Sequence, residues 1–213
     1  GCTFKTTKEI PDFPGPDFIS FVDMKQVKGA AFRNCYFLNE RKWKLAENIG
    51  HYGWGILAFS TNFTVTSCTF KGLGYGIQAL KTGNFRNEPH LITDNDFYDC
   101  YIGTHTNFIQ QGTIFGNRFH LGNVPDPDLV EKAIPGSNLA GQAGALYDYL
   151  INGFTCQENT FTKVDGNMPK TAGIVSFYLG SFNNVISKNH FYDIAIGDLA
   201  EGANSNGRTD NTA

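Results

Sequence analysis

The feature that most constrains how this chain can fold is a short motif that recurs along its length. Each copy consists of a cysteine or an asparagine, then any residue, then a phenylalanine. The seven copies are Cys2-Thr3-Phe4, Cys35-Tyr36-Phe37, Cys68-Thr69-Phe70, Asn95-Asp96-Phe97, Asn117-Arg118-Phe119, Asn159-Thr160-Phe161 and Asn189-His190-Phe191. Successive phenylalanines are 22 to 42 residues apart in the chain of 213 residues. Repetition at that interval is typical of a solenoid, in which each repeat forms one coil.

The motif predicts how each coil is built. Alternate residues of a β-strand share a face, so the cysteine or asparagine and the phenylalanine two residues later both point inward. Stacked coils then place the phenylalanines in a column with a spacing of about 4.8 Å. Asparagine at the partner position can bond to a backbone turn and to the asparagine of the next coil. Cysteine fits the same position as a small apolar residue.

A second anchor follows most copies of the motif and is often a small residue followed by an aliphatic one. Its six copies are Gly55-Ile56, Gly76-Ile77, Tyr101-Ile102, Ala145-Leu146, Gly173-Ile174 and Ala195-Ile196. The number of residues between the phenylalanine and the second anchor varies most from coil to coil. This variation predicts loop insertions along one edge of the solenoid.

Together, the Asn-x-Phe motif and the Gly-Ile anchor resemble the right-handed parallel β-helix repeat. Pectin- and alginate-degrading enzymes, phage tailspikes and many bacterial surface proteins share this fold. The resemblance implies an all-β, single-stranded right-handed parallel β-helix of about six to seven coils with loop insertions on one edge. The Cys-x-Phe variant most resembles large cell-surface proteins that bacteria export by the type IX route, which implies a secreted or cell-surface location in a bacterium.

The repeat also predicts the domain organisation. Residues 1–198 form one parallel β-helix domain, which we expect to be an excerpt of a longer solenoid. Residues 199–213 are rich in glycine, asparagine, serine and threonine and form a linker-like tail. Because Cys2-Thr3-Phe4 is already a core anchor, we expect further coils of the parent chain or a capping chain to cover the N-terminal edge.

Composition excludes two classes of partner. The chain has 17 basic and 20 acidic residues and a formal net charge of −3, so it has no basic excess for binding nucleic acid. Its longest apolar stretch is too short for a membrane span. The five cysteines show neither metal-ligand spacing nor a disulfide framework, and we expect free thiols.

Candidate functional residues flank the motif on positions expected to face outward. In the polysaccharide lyases that the repeat resembles, such a face holds Ca²⁺ with carboxylates, and a lysine or arginine takes a proton from the uronate. The resemblance therefore implies Asp94, Asp96 and Glu158 as candidate calcium ligands, and we expect no cofactor other than this calcium ion. The candidate catalytic residues are Arg118, Lys188 and His190. The candidate ligand-binding residues are Tyr98, His120, Glu158, Tyr192, Trp43 and Trp54.

Each of these interpretations has a structural alternative. Outward rows of mixed charge are ordinary on a solvated sheet, and the two tryptophans could pack against the solenoid. The chain also lacks the N-T-D, G-H-G and R-I-K motifs of polygalacturonases and the W-x-D-H and R-x-P-x-x-R motifs of pectate lyases. We therefore predict a non-catalytic β-helix segment of a secreted or cell-surface bacterial protein, a rigid scaffold for adhesion or glycan binding. The alternative is a polysaccharide lyase or glycoside hydrolase acting on acidic polysaccharide, and a third reading is a tailspike fragment.

Overall fold

A computed structural model describes residues 1–6, 20–40, 53–81, 89–109, 111–123, 141–148, 151, 153–166, 168, 170–178, 183–201 and 207–212. For residues 201 and 207–212 it describes the backbone alone. All the regular structure of these residues is β-strand. They contain no long apolar helix of the kind that crosses a membrane.

Twenty short strands make up the described structure. In chain order they are β1 (Thr3–Lys5), β2 (Ser20–Lys25), β3 (Ala30–Arg33), β4 (Tyr36–Leu38), β5 (Trp54–Phe59), β6 (Phe63–Thr66), β7 (Thr69–Lys71), β8 (Tyr75–Leu80), β9 (His90–Thr93), β10 (Asp96–Tyr98), β11 (Ile102–Asn107), β12 (Thr113–Phe115), β13 (Arg118–Leu121), β14 (Gln142–Asp148), β15 (Thr155–Gln157), β16 (Thr160–Lys163), β17 (Thr171–Phe177), β18 (Asn184–Tyr192), β19 (Ile196–Glu201) and β20 (Gly207–Thr212).

Each coil contributes one strand to each of three parallel sheets. The first sheet contains β3, β6, β9, β12, β15, the first half of β18 and β20. The second contains β1, β4, β7, β10, β13, β16 and the second half of β18. The third contains β2, β5, β8, β11, β14, β17 and β19. Six coils have all three strands, and every pairing is between successive coils, which confirms the predicted parallel β-helix.

A sharp corner joins the first sheet to the second, one residue before the cysteine or asparagine of the motif. The residue at this corner adopts the left-handed conformation, which turns the chain within a single residue. The corner residues are Asn34 (φ 53°), Ser67 (53°), Asp94 (56°), Gly116 (66°), Glu158 (56°) and Lys188 (54°).

The residue after this corner forms a hydrogen-bonded ladder through the stack. The Oδ1 atom of Asn117 accepts the backbone N–H of Asn95 at 3.0 Å and its side-chain Nδ2–H at 2.9 Å. Asn117 in turn donates from its side chain to Asn159 at 3.0 Å. In the cysteine coils, the Sγ atom of Cys68 accepts the backbone N–H of Cys35 at 3.3 Å, so sulfur occupies the position of the amide oxygen. All five cysteines are free thiols.

The phenylalanines of the motif form the predicted column. Neighbouring rings are 4.6 to 5.1 Å apart between centroids and lie within 15° of parallel. A glycine of each third-sheet strand from β5 onward packs against this column. A Cβ atom on Gly103 would lie 2.6 Å from the ring of Phe119 and 2.6 Å from the carbonyl oxygen of Gly144. From β5 to β17 these strands pass too close to the rings for any side chain at this position, whereas a Cβ atom on Gly197 of β19 would be at ordinary contact distance.

The second anchor is correct in three coils and displaced in three. The glycines that pack against the column are Gly55, Gly76, Gly103, Gly144, Gly173 and Gly197. In the three coils where the prediction is wrong, the residue after the glycine is Thr104, Ala145 or Asp198 and not a branched aliphatic. In these three coils, a search for a small residue followed by an aliphatic one therefore identifies the wrong pairs, Tyr101-Ile102, Ala145-Leu146 and Ala195-Ile196, as the second anchor.

The longest stretches between strands lie at one corner, as predicted. Residues 6–19, 39–53 and 122–141 each connect a second-sheet strand to the next third-sheet strand. A shorter stretch, residues 81–89, connects the third sheet to the first. The predicted linker-like tail, residues 199–213, contains the end of β19 and all of β20, which pairs with β18.

The glycine row makes a prediction about stability. Replacing Gly103 with alanine forces a methyl group against Phe119 and a backbone oxygen, and should lower the free energy of unfolding by about 1–3 kcal/mol. The control is Gly197→Ala, the same position in the last complete coil, where the nearest atom is 3.4 Å away at ordinary contact distance. Urea denaturation measures both. Equal stability of the two variants would contradict the close packing described above.

A buried histidine predicts sensitivity to acid. His90 stacks on Phe63 with 5.4 Å between the ring centroids, and neither of its nitrogens has a hydrogen-bond partner. Burial lowers its pKa from 6.5 to about 4. Between pH 6.5 and about pH 4, His90 is therefore protonated in the unfolded chain and neutral in the folded chain. The folded state is stabilised above pH 6.5, and this contribution to the free energy of unfolding is lost as the pH falls to about 4.

Replacing this histidine should remove that loss. At about 1.4 kcal/mol per pKa unit, the loss attributable to His90 is about 3 kcal/mol. His90→Phe keeps an aromatic ring stacked on Phe63. Between neutral pH and pH 4, the free energy of unfolding of this variant should fall by about 3 kcal/mol less than that of the parent, as measured by urea denaturation. His190→Phe, at an exposed position, should keep the loss. An unchanged pH profile for His90→Phe would refute this assignment.

Candidate functional site

Most of the predicted residues lie on the outer face of the second sheet, in two parallel rows. We call the part of these rows from β7 to β18 the second-sheet strip. The first row contains Thr69, Asp96, Arg118, Thr160 and His190, and the second contains Lys71, Tyr98, His120, Thr162 and Tyr192. Strand pairing sets the coils about 4.8 Å apart, so these side chains project at regular intervals from a flat surface.

An arginine–carboxylate pair lies in the middle of the strip. Asp96 and Arg118 are directly paired on neighbouring strands, and two hydrogen bonds join them: Nε to Oδ1 at 2.5 Å and Nη2 to Oδ2 at 2.7 Å. This two-point contact fixes both side chains. The Asp96 carboxylate raises the pKa of Arg118, so the guanidinium keeps its proton and cannot act as a general base.

Beside this pair, His120 stacks on Tyr98 with 4.2 Å between the ring centroids and 5° between the planes. Burial lowers the pKa of His120, and the charge of Asp96 partly opposes this effect. Its Nε2 atom has no hydrogen-bond partner and lies 3.9 Å from Oδ1 of Asp96. Of the groups in this cluster, His120 has the ordinary pKa closest to neutral, and burial moves that pKa below 6.5.

Three of the predicted residues lie at the corner and not on the strip. Asp94, Glu158 and Lys188 all occupy the left-handed position between the first and second sheets. Glu158 and Lys188 form an ion pair of 3.6 Å on neighbouring coils. Asp94 extends over Gly116 instead: its Oδ1 would be 2.8 Å from a Cβ atom on that glycine. The structure thus gathers Asp94, Asp96, Tyr98, Arg118 and His120 on two coils, and places Glu158, Lys188, His190 and Tyr192 on the next two.

The predicted calcium ligands do not share one centre. Asp96 is held by Arg118, and the coil of Gly116 separates Asp94 from Glu158. In the described ranges, no three histidine, cysteine, aspartate or glutamate side chains converge as metal ligands. Calcium binding stays a prediction.

The two tryptophan candidates fare differently. Trp43 lies outside the described residues. Trp54 begins β5 on the third sheet and exposes only 9% of its surface. It stacks on Tyr75 with 5.9 Å between the centroids, and its Nε1–H donates to Gln78 at 2.6 Å. Trp54 therefore packs against the solenoid, as the structural alternative predicted, and is not an exposed ring for binding a ligand.

The outer face of the third sheet carries polar residues that the sequence reasoning missed. Gln78, His105, Asn107 and Asp148 point away from the central column and are still mostly buried. The signal that could have found them is register. Counting outward positions from the glycine of each third-sheet strand aligns Gln78 with His105, and Asn107 with Asp148.

The cluster around His120 predicts opposite pKa shifts in two variants. Asp96→Asn removes the charge that raises the pKa of His120, so that pKa should fall further. Arg118→Met removes a charge that lowers it, so the pKa should rise. Histidine ring resonances followed by NMR through a pH titration measure both, with Lys188→Met as the distant control. Shifts in the same direction would contradict the arrangement.

Comparison with known proteins identifies the family. Curated proteins and solved structures give no significant match to the chain. A family model described as "Right handed beta helix region" matches residues 54–212, from β5 to β20. That match covers most of the chain and supplies the hand of the coil, which agrees with the parallel three-sheet stack. The chain belongs to the right-handed β-helix family.

Proposed function

We propose that this chain is a non-catalytic segment of a secreted or cell-surface bacterial protein and that it binds glycan along the second-sheet strip. The observation that carries the proposal is the pairing of open aromatic rings with fixed polar groups on one flat surface. Tyr192 exposes 54% of its surface at one end of the strip. Tyr36, in the row of Thr69 one coil before the strip, exposes 51%.

The three outer faces differ in a way that favours this one. From β6 to β18 the outward positions of the first sheet carry no charged residue; they are Thr64, Thr66, Leu91, Thr93, Thr113, Phe115, Thr155, Gln157, Val185 and Ser187. The third face is largely buried. The strip, in contrast, presents both rings and charges to solvent.

The chemistry of the strip suits a sugar chain. The apolar faces of pyranose rings pack on exposed tyrosines, as flat amphipathic rings pack elsewhere. The Asp96–Arg118 pair retains unused lone pairs and N–H groups that can bond to hydroxyls. The strip has one acidic residue, Asp96, and two basic residues, Arg118 and Lys71, and Asp96 is paired with Arg118. Because little net charge is left on this surface, a neutral glycan fits better than a polyanion.

The scaffold contributes rigidity. The amide ladder and the phenylalanine column fix every coil against its neighbours, so the strip loses little conformational freedom when a ligand binds. The bacterial cell-surface location is supported by the resemblance of the Cys-x-Phe coils to exported surface proteins.

One observation favours the catalytic alternative, a polysaccharide lyase or glycoside hydrolase acting on acidic polysaccharide. His120 offers an unpartnered Nε2 atom beside Asp96 and Arg118, and those three groups could supply a base and an anion partner. A lyase leaves an unsaturated sugar that absorbs ultraviolet light, and a hydrolase leaves new reducing ends. Appearance of either product, lost in His120→Asn, would replace binding with catalysis as the function.

The binding proposal predicts which variants lose affinity. Tyr192→Ala and Tyr36→Ala should each weaken binding of a soluble neutral glucan, mannan or xylan about five- to tenfold, because each removes a stacking ring. Affinity electrophoresis and calorimetry measure the loss, with oligogalacturonates as the acidic comparison.

The control for these variants is Thr155→Ala, on the uncharged outer face of the first sheet, which should bind like the parent. Absence of binding to all four polysaccharides, or equal loss in the control, would refute the proposal.

A further inference from the structure

Two large aromatic side chains are exposed at the corner where each coil passes from the third sheet to the first. Phe108 follows β11 and exposes 41% of its surface, and Tyr178 follows β17 and exposes 51%. The residue just before each of them is paired with Asp148 on the intervening strand β14. Phe108 and Tyr178 therefore lie in one row along the stack, two coils or about 9.6 Å apart. Tyr149 follows Asp148 in the sequence and lies outside the described residues.

The backbone at this corner is unfavourable for an aromatic residue. Phe108 and Tyr178 adopt the left-handed conformation, with φ of 56° and 48°. Gln26 and Ser60, which follow β2 and β5 at the same corner, adopt it as well, with φ of 58° and 46°. The turn therefore sets the conformation for different side chains alike. Bulky residues tolerate this conformation poorly, whereas asparagine tolerates it well.

Neither the turn nor the core explains why rings occupy these two positions. The preference of the turn itself would select glycine or asparagine. Packing in the core would bury the rings, yet Phe108 and Tyr178 are among the most exposed large apolar side chains that the structure describes. A bulky residue that is held in a sparsely populated conformation with its side chain in solvent is typical of a residue kept for binding.

The surroundings of the two rings favour a sugar over a protein as the ligand. A protein interface is built on a continuous apolar patch, but the other described residues of this row are polar: Gln26, Ser60 and Lys81. Asn107, directly before Phe108, is also polar, and its side chain donates to Asp148 at 3.2 Å. A sugar needs less apolar surface, since its C–H face packs on one ring while nearby amides bond to its hydroxyls.

We propose that Phe108 and Tyr178 form a second glycan-binding site, which takes a neutral sugar chain lying along this corner, parallel to the stack. Each ring packs on a sugar unit, and the units between them bridge the intervening coil. A chain that contacts both rings makes the second contact at high effective concentration, so an oligosaccharide binds more tightly than its monosaccharide. The described charges next to the row, Lys81 and Asp148, oppose each other and give no preference for an acidic sugar.

This site is independent of the second-sheet strip. It lies at the corner between the third and first sheets and shares no residue with the strip, so either site can fail without the other. The experiment uses the whole chain with ¹³C-labelled phenylalanine and tyrosine. The probes are cellohexaose, mannohexaose and xylohexaose with their three monosaccharides, and NMR follows the ring signals of Phe108 and Tyr178.

At least one hexasaccharide should shift both ring signals in a saturable way and at lower concentration than its monosaccharide. Phe108→Asn should weaken this binding about three- to tenfold when it is followed at Tyr178, and Tyr178→Asn should do the same when it is followed at Phe108, because each removes one stacking ring. Neither variant should lower the midpoint of urea denaturation, since asparagine adopts the left-handed conformation more readily.

Three controls separate the ring from the backbone and from the strip. Gln26→Asn introduces asparagine at an exposed residue with the same backbone conformation and removes no ring, so it should bind like the parent. Tyr178→Phe keeps the ring and should retain the affinity. Tyr192→Ala, on the strip, should leave the shifts at Phe108 and Tyr178 unchanged.

Each contrary result overturns the proposal. If none of the hexasaccharides shifts the two ring signals, the corner is not a glycan site, whatever the strip binds. If the asparagine variants bind as tightly as the parent, the rings do not contact the sugar. If either asparagine variant unfolds at a lower urea concentration than the parent, that ring stabilises the fold, and its position is explained without a ligand.

Discussion

The structure depends above all on the ladder of side-chain amides that follows the left-handed corner. Each asparagine of the ladder is fully buried, and its side chain bonds to the adjacent coils. A slip of one residue between coils would leave these amides unpaired, at about 1–3 kcal/mol for each lost partner. The ladder therefore fixes register, and register aligns every outward row from which a functional surface could be built.

The inward half of this architecture could be predicted from the sequence, because stacking requires the same residue type in every coil. The phenylalanine column and the ladder were identified residue by residue for that reason. The third-sheet anchor was harder. Its constraint is space and not hydrophobicity, since Gly103 and Gly144 leave room for rings from the column, and an apolar pattern does not report an absent side chain.

The candidate site was predicted in part, and the missing part has a physical cause. Residues directly before and after each phenylalanine do share the second-sheet face. Strict alternation along a strand predicts that Asp94, Glu158 and Lys188 also lie on this face. Each of the three is instead a left-handed residue at the corner, where the alternation of the strand is interrupted. His105 and Asp148 were missed because a polar strand is normally taken as exposed. Whether an outward-facing side chain is buried depends on the residues that pack over that face of the sheet. The alternation of residues within the strand gives no information about those residues.

The division between inward and outward residues also explains where function can reside. The coil requires an amide or thiol, a phenylalanine and a glycine at fixed inward positions, and places no comparable demand on the residues between them. Charge on the second sheet and its absence from the first are therefore not consequences of the fold, because the same coils contribute to both faces. The pairing of Asp96 with Arg118, one coil apart, exists only because the ladder holds their strands in register. A change in the ladder should thus disturb the strip, whereas a change in the strip should leave the ladder intact.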